Sequence, residues 1–247
     1  MFGKVCAVKQ LIMRNNYMKK KLKTKTNNQK KAIVLLSGGL DSSVSLYYAL
    51  SKGYDVHCLT FDYGQRHKKE IKLAQMIAKK AKCKSELVKI ALPWKGSSLL
   101  DKNQKIPKKR KIDKEIPSTY VPARNIIFLS FAASFAESIK AQAIFIGVNA
   151  VDYSGYPDCR QEFLDAFAAA LKKGTKAGTQ GMKIVISAPL VNKSKQQIVQ
   201  LAIKLGVPLE LTWSCYSGGK KPCGVCDSCI LRAQGFAQAK TKDPAGC

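Results

Sequence analysis

The chain of 247 residues suits one generous domain, or a domain with a small appendage, and its 46% hydrophobic and 24% charged residues are ordinary globular usage. No stretch approaches the length of apolar residues that a membrane-crossing helix needs, which excludes a helical span. The formal net charge of +27 admits nucleic acid, anionic lipid or phosphorylated ligands, yet the lysines are scattered with few aromatics between them, unlike a strand-binding surface, and read as solvated surface.

Residues 1–31 stand apart: MFGKVCAVKQLIMRNNYMKKKLKTKTNNQKK is rich in Lys and holds no acid. It lacks the apolar core of a secretory signal. It reads as a disordered basic tail, or as the product of a misplaced start with translation beginning at Met18; a nucleic-acid arm or a targeting peptide are the alternatives. From Ala32 short β-rich runs at 32–37, 55–63, 85–91, 143–148 and 183–190 alternate with helical patterns at about 42–52, 67–82, 125–140, 160–173 and 194–205. This alternation predicts an α/β fold, a Rossmann-like parallel sheet with helices on both faces. In NIIFLSFAASFAESI the apolar positions crowd nearly all faces, which predicts a buried helix. Residues 93–122, rich in Pro and Lys, read as a long loop, of the kind used as a lid or excursion.

The run AIVLL leads directly into Ser37-Gly38-Gly39-Leu40-Asp41-Ser42-Ser43 and then into a helical pattern. A Gly-rich strand-to-helix turn offers backbone N–H groups and a helix dipole to an anion. The serines add hydroxyl donors, and Asp41 suits a divalent metal or a helix cap. A nucleotide pyrophosphate with Mg²⁺ fits all of these. The turn matches neither G-x-x-x-x-G-K-[ST] nor G-x-G-x-x-G. FDYGQRH (61–67) and GVNAVDYSGYPDCR (147–160) also follow strands, on the rim where such sheets bind ligands.

Cys215, Cys223, Cys226 and Cys229 cluster near the C-terminus, whereas the other five of the nine cysteines do not. The odd total and tight spacing point to a reducing cytoplasm rather than a disulfide framework. Four thiolates in one Gly-containing loop suit a closed tetrahedral zinc site, with an iron–sulfur cluster as the competitor. The chain thus divides into the extension 1–31, a nucleotide-binding α/β domain over 32–210, and a zinc-binding segment over 211–247 packed on it.

SGGLDSS resembles the PP-loop of the ATP pyrophosphatases. Together with FDYGQRH, PSTYVPARN (117–125), GVNAVDYSGYPDCR and CYSGGKKPCGVCDSC (215–229), the chain from about Ala32 to about Ala237 resembles the 7-cyano-7-deazaguanine synthase family. The basic extension is a departure from that pattern. The resemblance implies zinc at the four cysteines, a homodimer, and a reaction that joins 7-carboxy-7-deazaguanine and ammonia at the expense of two ATP, each giving AMP and pyrophosphate. No membrane and no stable nucleic-acid partner are expected. The alternative is another PP-loop ATPase, such as a tRNA-modifying adenylating enzyme.

Within that reaction Arg66, Arg124 and Arg160 are candidates to neutralise phosphoryl charge beside Asp41. Asp152 or Asp158 would accept the two N–H donors of the deazaguanine edge, and Tyr153 or Tyr156 would stack on the ring. His67 is a base or a cap of the following helix. Cys159 is a nucleophilic thiol or an ordinary buried cysteine.

Overall fold

A computed structural model describes residues 29–94, 96–101, 103–109, 115–149 and 155–246. The basic extension up to residue 28, Asp152 and Tyr153 lie outside the described residues.

Five strands form one parallel sheet: β1 (Lys31–Leu35), β2 (Asp55–Asp62), β3 (Lys84–Lys89), β4 (Ala143–Phe145) and β5 (Val185–Ser187), in the order β3-β2-β1-β4-β5. The apolar runs of β1, β2 and β4 are almost wholly buried, as strands covered on both faces must be. The edge strand β3 exposes most of its polar side chains, and the other edge, β5, is a short, partly covered strand. Sequential strands run outward from β1 to β3, and then the chain returns to place β4 on β1's other side. That reversal opens a crevice beyond the carboxyl ends of β1 and β4.

Helix α1 (Leu40–Ser51) starts at Gly39, whose extended backbone ends the strand-to-helix turn. Helix α2 (Lys69–Lys80) buries Ile71, Ala74, Ile77 and Ala78, one stripe at helical spacing. Helix α3 (Arg124–Ile139) corrects the expectation of a buried helix. It buries Asn125, Leu129, Ala132, Ala133 and Ala136 on one face, while Ile126 and Phe131 are 41% and 42% exposed. The small alanines let α3 lie close to the sheet on that stripe, so its bulky residues are left to the other side.

Helix α4 (Gln161–Gly174) follows a single 3₁₀ turn, Pro157–Cys159. Helix α5 (Lys195–Lys204) opens with a capping box between Ser194 and Gln197. Helix α6 (Asp227–Gln238) packs on α5, and Gly235 permits the approach, since a Cβ there would fall 2.9 Å from Lys195 Cβ. Arg232, 2% exposed, fixes the C-terminus through two bonds to Asp243 (2.8 and 2.9 Å) and one to Thr212 Oγ1 (2.9 Å). Within residues 93–122, the described residues around 97–98 and 118 are held in place. Ser97 and Ser98 are fully buried, and Ser98 N donates to Ser118 O at 2.8 Å.

Candidate functional site

The turn after β1 is shaped by its neighbours. Gly38 adopts a φ of 81°, and a Cβ there would clash with the Glu70 carbonyl of α2. Gly147, just past β4, has no room either: a Cβ would sit 2.8 Å from Ser42 N. Glycines at two strand ends therefore let α1, α2 and the β4 rim converge. Ser43 Oγ donates to Gly39 O at 2.7 Å and Ser42 Oγ to the same carbonyl at 3.2 Å. The hydroxyls thus brace the turn, and Ser37 Oγ shares a 3.0 Å hydrogen bond with Ser42 Oγ.

Asp41 is the second residue of α1 and does not cap it. Its Oδ2 accepts from Lys195 Nζ at 2.6 Å and Asn149 Nδ2 at 3.3 Å. Its Oδ1 is buried with no hydrogen-bond partner among the described residues, a position suited to a cation.

A cavity of about 270 Å³ lies over this turn. Its wall takes residues from every motif singled out above: Ser37, Gly39, Leu40, Asp41 and Ser42; Phe61, Tyr63, Gln65, Arg66 and His67; Thr119, Arg124 and Asn125; Gly147, Tyr156 and Cys159; and Tyr216 and Ser228 from the C-terminal loop. Gly38, Ser43, Asp158 and Arg160 do not line it. Arg160 sits outside, 3.6 Å from Glu162. Asp158 is buried and anchors the start of α3, with Oδ2 accepting from Asn125 N at 3.0 Å. Arg66 faces the cavity but also clamps the 97–104 segment through Ser98 O (3.2 Å) and Gln104 O (2.9 Å).

Arg124 occupies the first position of α3, where a cation opposes the helix dipole. Ala123 before it is left-handed, with φ 53°, strain of the kind stored at functional sites. Burial pulls the Arg124 pKa down, but Tyr63, Cys159 and Asp158 outweigh it and hold the guanidinium charged. Tyr156 presents its ring beside Tyr120 (centroids 6.0 Å apart) and shares a 2.9 Å hydrogen bond with Thr119 Oγ1. His67 does not cap α2, whose N-cap position is Lys68, with no side-chain cap bond. Its Nδ1 is buried without a partner among the described residues, burial lowers its pKa, and Gly218 packs against its ring. Cys159 is buried, with Asn125 Nδ2 donating to its Sγ at 3.2 Å.

Two cavity residues escaped the sequence reading, Lys195 and Glu70, as did Asn149, which bonds Asp41 from outside the cavity wall. Lys195 carried a signal, because a Lys opening a helix is unfavourable for the dipole unless something else holds it there. Glu70 carried none, since an acid in a first helical turn is ordinary. Burial pushes its pKa up to about 7, with Arg124 opposing.

The sulfurs of Cys215, Cys223, Cys226 and Cys229 lie within 4.8 Å of one another. Four thiolates around one zinc would stand roughly 3.8 Å apart at the usual Zn–S distance, so a small contraction suffices. Backbone donors already face these sulfurs: Ser217 N and Cys223 N lie 3.4 and 3.3 Å from Cys215 Sγ. At Cys223 burial would raise the pKa, but Ser217 and the Val225 and Cys226 amides outweigh it and bring the thiol down to about 6. This donor set fits a thiolate-bound metal. The loop is also locked to α2, where Lys69 Nζ sits 3.4 Å above the Trp213 ring and donates to Lys220 O at 2.9 Å.

The family model described as "Queuosine biosynthesis protein QueC" matches residues 31–240. A 7-cyano-7-deazaguanine synthase of Acetivibrio thermocellus is 54% identical over 215 residues, covering 87% of this chain and 96% of the relative. Proteins of the same name from Nostoc punctiforme (52% identical, 87% of this chain, 98% of the relative) and Thermoplasma volcanium (54% identical, 87% and 90%) are similarly close.

Proposed function

The chain belongs to the QueC family of queuosine biosynthesis proteins, and on that premise we propose that it is an ATP-dependent ligase forming 7-cyano-7-deazaguanine from 7-carboxy-7-deazaguanine and ammonia. The observation that carries the reading is convergence. Five segments spread over the chain, all in motifs shared with that family, meet in one cavity at the strand-order reversal.

A carboxylate is a poor acceptor for an amine. Transfer of AMP to one of its oxygens makes a leaving group that ammonia displaces, and a second activation of the amide oxygen allows loss of water to the nitrile. The turn at Ser37–Ser43 offers backbone donors to the triphosphate. Arg124 and Lys195, both on the cavity wall, stabilise phosphoryl charge as it develops. Tyr156 and Phe128 supply aromatic faces for a flat bicyclic ring. Asp152 remains the proposed acceptor for the ring's paired N–H donors. The free Oδ1 of Asp41 would hold Mg²⁺, whose contribution when bound is to neutralise phosphate oxygens. The four cysteines would hold zinc as a closed cross-link of the C-terminal loop.

We assign a homodimer on the same basis: edge strand β3 is exposed along its length, and α3 exposes Ile126 and Phe131. A cytoplasmic location follows from the reducing conditions that keep four clustered cysteines from pairing as disulfides. The test is an assay with ATP, Mg²⁺, ammonium and 7-carboxy-7-deazaguanine, following pyrophosphate release and the nitrile by mass. Nitrile with acid-dependent pyrophosphate is expected. Pyrophosphate release with tRNA, and not with the acid, would overturn the substrate and keep the nucleotide chemistry.

A further inference from the structure

We propose that Glu70 is the residue that binds ammonium and takes its proton. The inference rests on the ligase reading above, which supplies ammonia as a substrate but no base for it. At neutral pH ammonia is almost entirely ammonium, whose nitrogen has no lone pair to attack with. A site must therefore attract a small cation, strip one proton and hold the product next to the activated carbon.

Glu70 meets these needs by position. Its backbone carbonyl packs on Gly38 of the nucleotide turn, and its side chain lines the same cavity as Ser37, Asp41 and Arg124. Among the described residues its carboxylate accepts no hydrogen bond and forms no close ion pair. Asp41, the other acid on this wall, is already held by Lys195 and Asn149. The groups facing Glu70 are Arg124 from α3, Tyr63 beyond β2 and His67 at the entry to α2, with Lys195 and Asp41 across the turn. An ordinary carboxylate is too weak a base for ammonium. Burial raises this one to about 7 against the pull of Arg124, into the range where a base works best at neutral pH.

The step balances. Glu70 carboxylate takes one proton from ammonium, and the nitrogen lone pair forms the C–N bond to the acyl-adenylate carbon. The C–O bond to the phosphate breaks and its electron pair leaves with AMP. The second proton lost from nitrogen goes to the AMP phosphate.

The experiment compares ammonium with hydroxylamine, a nucleophile already neutral at pH 7, in the wild type and in Glu70→Gln. In the wild type, kcat/KM for ammonium should rise through about pH 7 in a limb that hydroxylamine lacks. Glu70→Gln should lose at least 100-fold with ammonium, in line with roughly 10²–10⁴-fold for a general base. It should form the hydroxamate within about 3-fold of wild type and keep acid-dependent pyrophosphate exchange. Equal pH profiles for the two nucleophiles in the wild type would overturn the proposal whether or not the variant folds. So would Glu70→Gln retaining ammonium turnover, or losing pyrophosphate exchange together with it while still folded. A wild type with no acid-dependent exchange at all would instead sink the ligase reading.

Discussion

Asp41 and Glu70, the two acids on the cavity wall, are held in opposite ways. Asp41 is paired and Glu70, among the described residues, is not, so removing each should have a different signature. Asp41→Ala removes the ion pair to Lys195, whose side chain is only 15% exposed. It should cost about 1–3 kcal/mol of stability, the usual scale for losing a partly buried charge-assisted hydrogen bond, and lower turnover at least about 100-fold. Thermal melting alongside pyrophosphate release checks both, and a wild-type rate would remove Asp41 from the phosphate site. Glu70 is costly when charged. Its folded pKa lies above its unfolded value, so its stabilising contribution is complete below about pH 4.5 and is lost as pH rises through about 7. Glu70→Gln should therefore melt above the wild type at pH 8, with the difference shrinking toward pH 5. A gain of stability on losing a site residue is the familiar conflict between activity and stability. An equal or lower melting point for the variant at pH 8 would contradict the burial argument.

At the scale of elements, the turn and α2 are one unit because Gly38 has no side chain. Gly38→Ala should destabilise by at least about 2 kcal/mol, from a left-handed backbone and a contact with backbone that cannot swing away. Denaturant unfolding reads this directly. The cysteine loop is a second unit, joined to α2 by Lys69 over Trp213. Cys226→Ser should lose bound metal by elemental analysis and lower the melting temperature, since a structural metal contributes directly to folding. A fully stable, metal-free variant would deny the loop that role. Much of this level was legible. The apolar runs became β1 to β5 and the five helical spacings became α1 to α5, with ends shifted by a few residues, whereas α6 in the cysteine-bearing segment was not read from the sequence. The shifts have a reason: β4 stops at Phe145 because the chain must leave the ladder there to bring Gly147 onto α1. The fate of Ile126 and Phe131 was not legible. The pattern of α3 is apolar all round, and only the sheet it lies on determines which stripe is covered.

For the whole molecule, the charge of +27 is the feature that the site does not use. The cavity needs only a few cations, and the many remaining lysines are not gathered at it. A chain beginning at residue 29 keeps β1 and all described contacts of Lys31, including its carbonyl bond from Gln142 N at 2.9 Å. It should retain activity within about 2-fold, the scale expected when no buried contact is lost. Raising salt from 50 to 200 mM should leave the apparent affinity for the deazaguanine acid nearly unchanged, whereas a protein gripping nucleic acid through several phosphates would lose about 10³-fold or more. A steep salt loss, or inactivity of the shortened chain, would give the basic residues a role in function.

The sequence by itself determined the α/β class, the glycine-rich strand-to-helix turn, the four-cysteine cluster and the family, because each is written in local spacing: period, glycine placement, thiol intervals. Tertiary structure alone decided the pairing of partners far apart in the chain. Asp41 meets Lys195 across 154 positions, and Asn149 across 108. Arg124 and Asp158 stand at the same end of α3, but Arg124 faces the cavity while Asp158 holds the helix start. Glu70 reads as an ordinary first-turn acid until the fold half-buries it beside Gly38. Burial and long-range pairing set the charge and basicity of a side chain, and neither is a property of its neighbours in sequence.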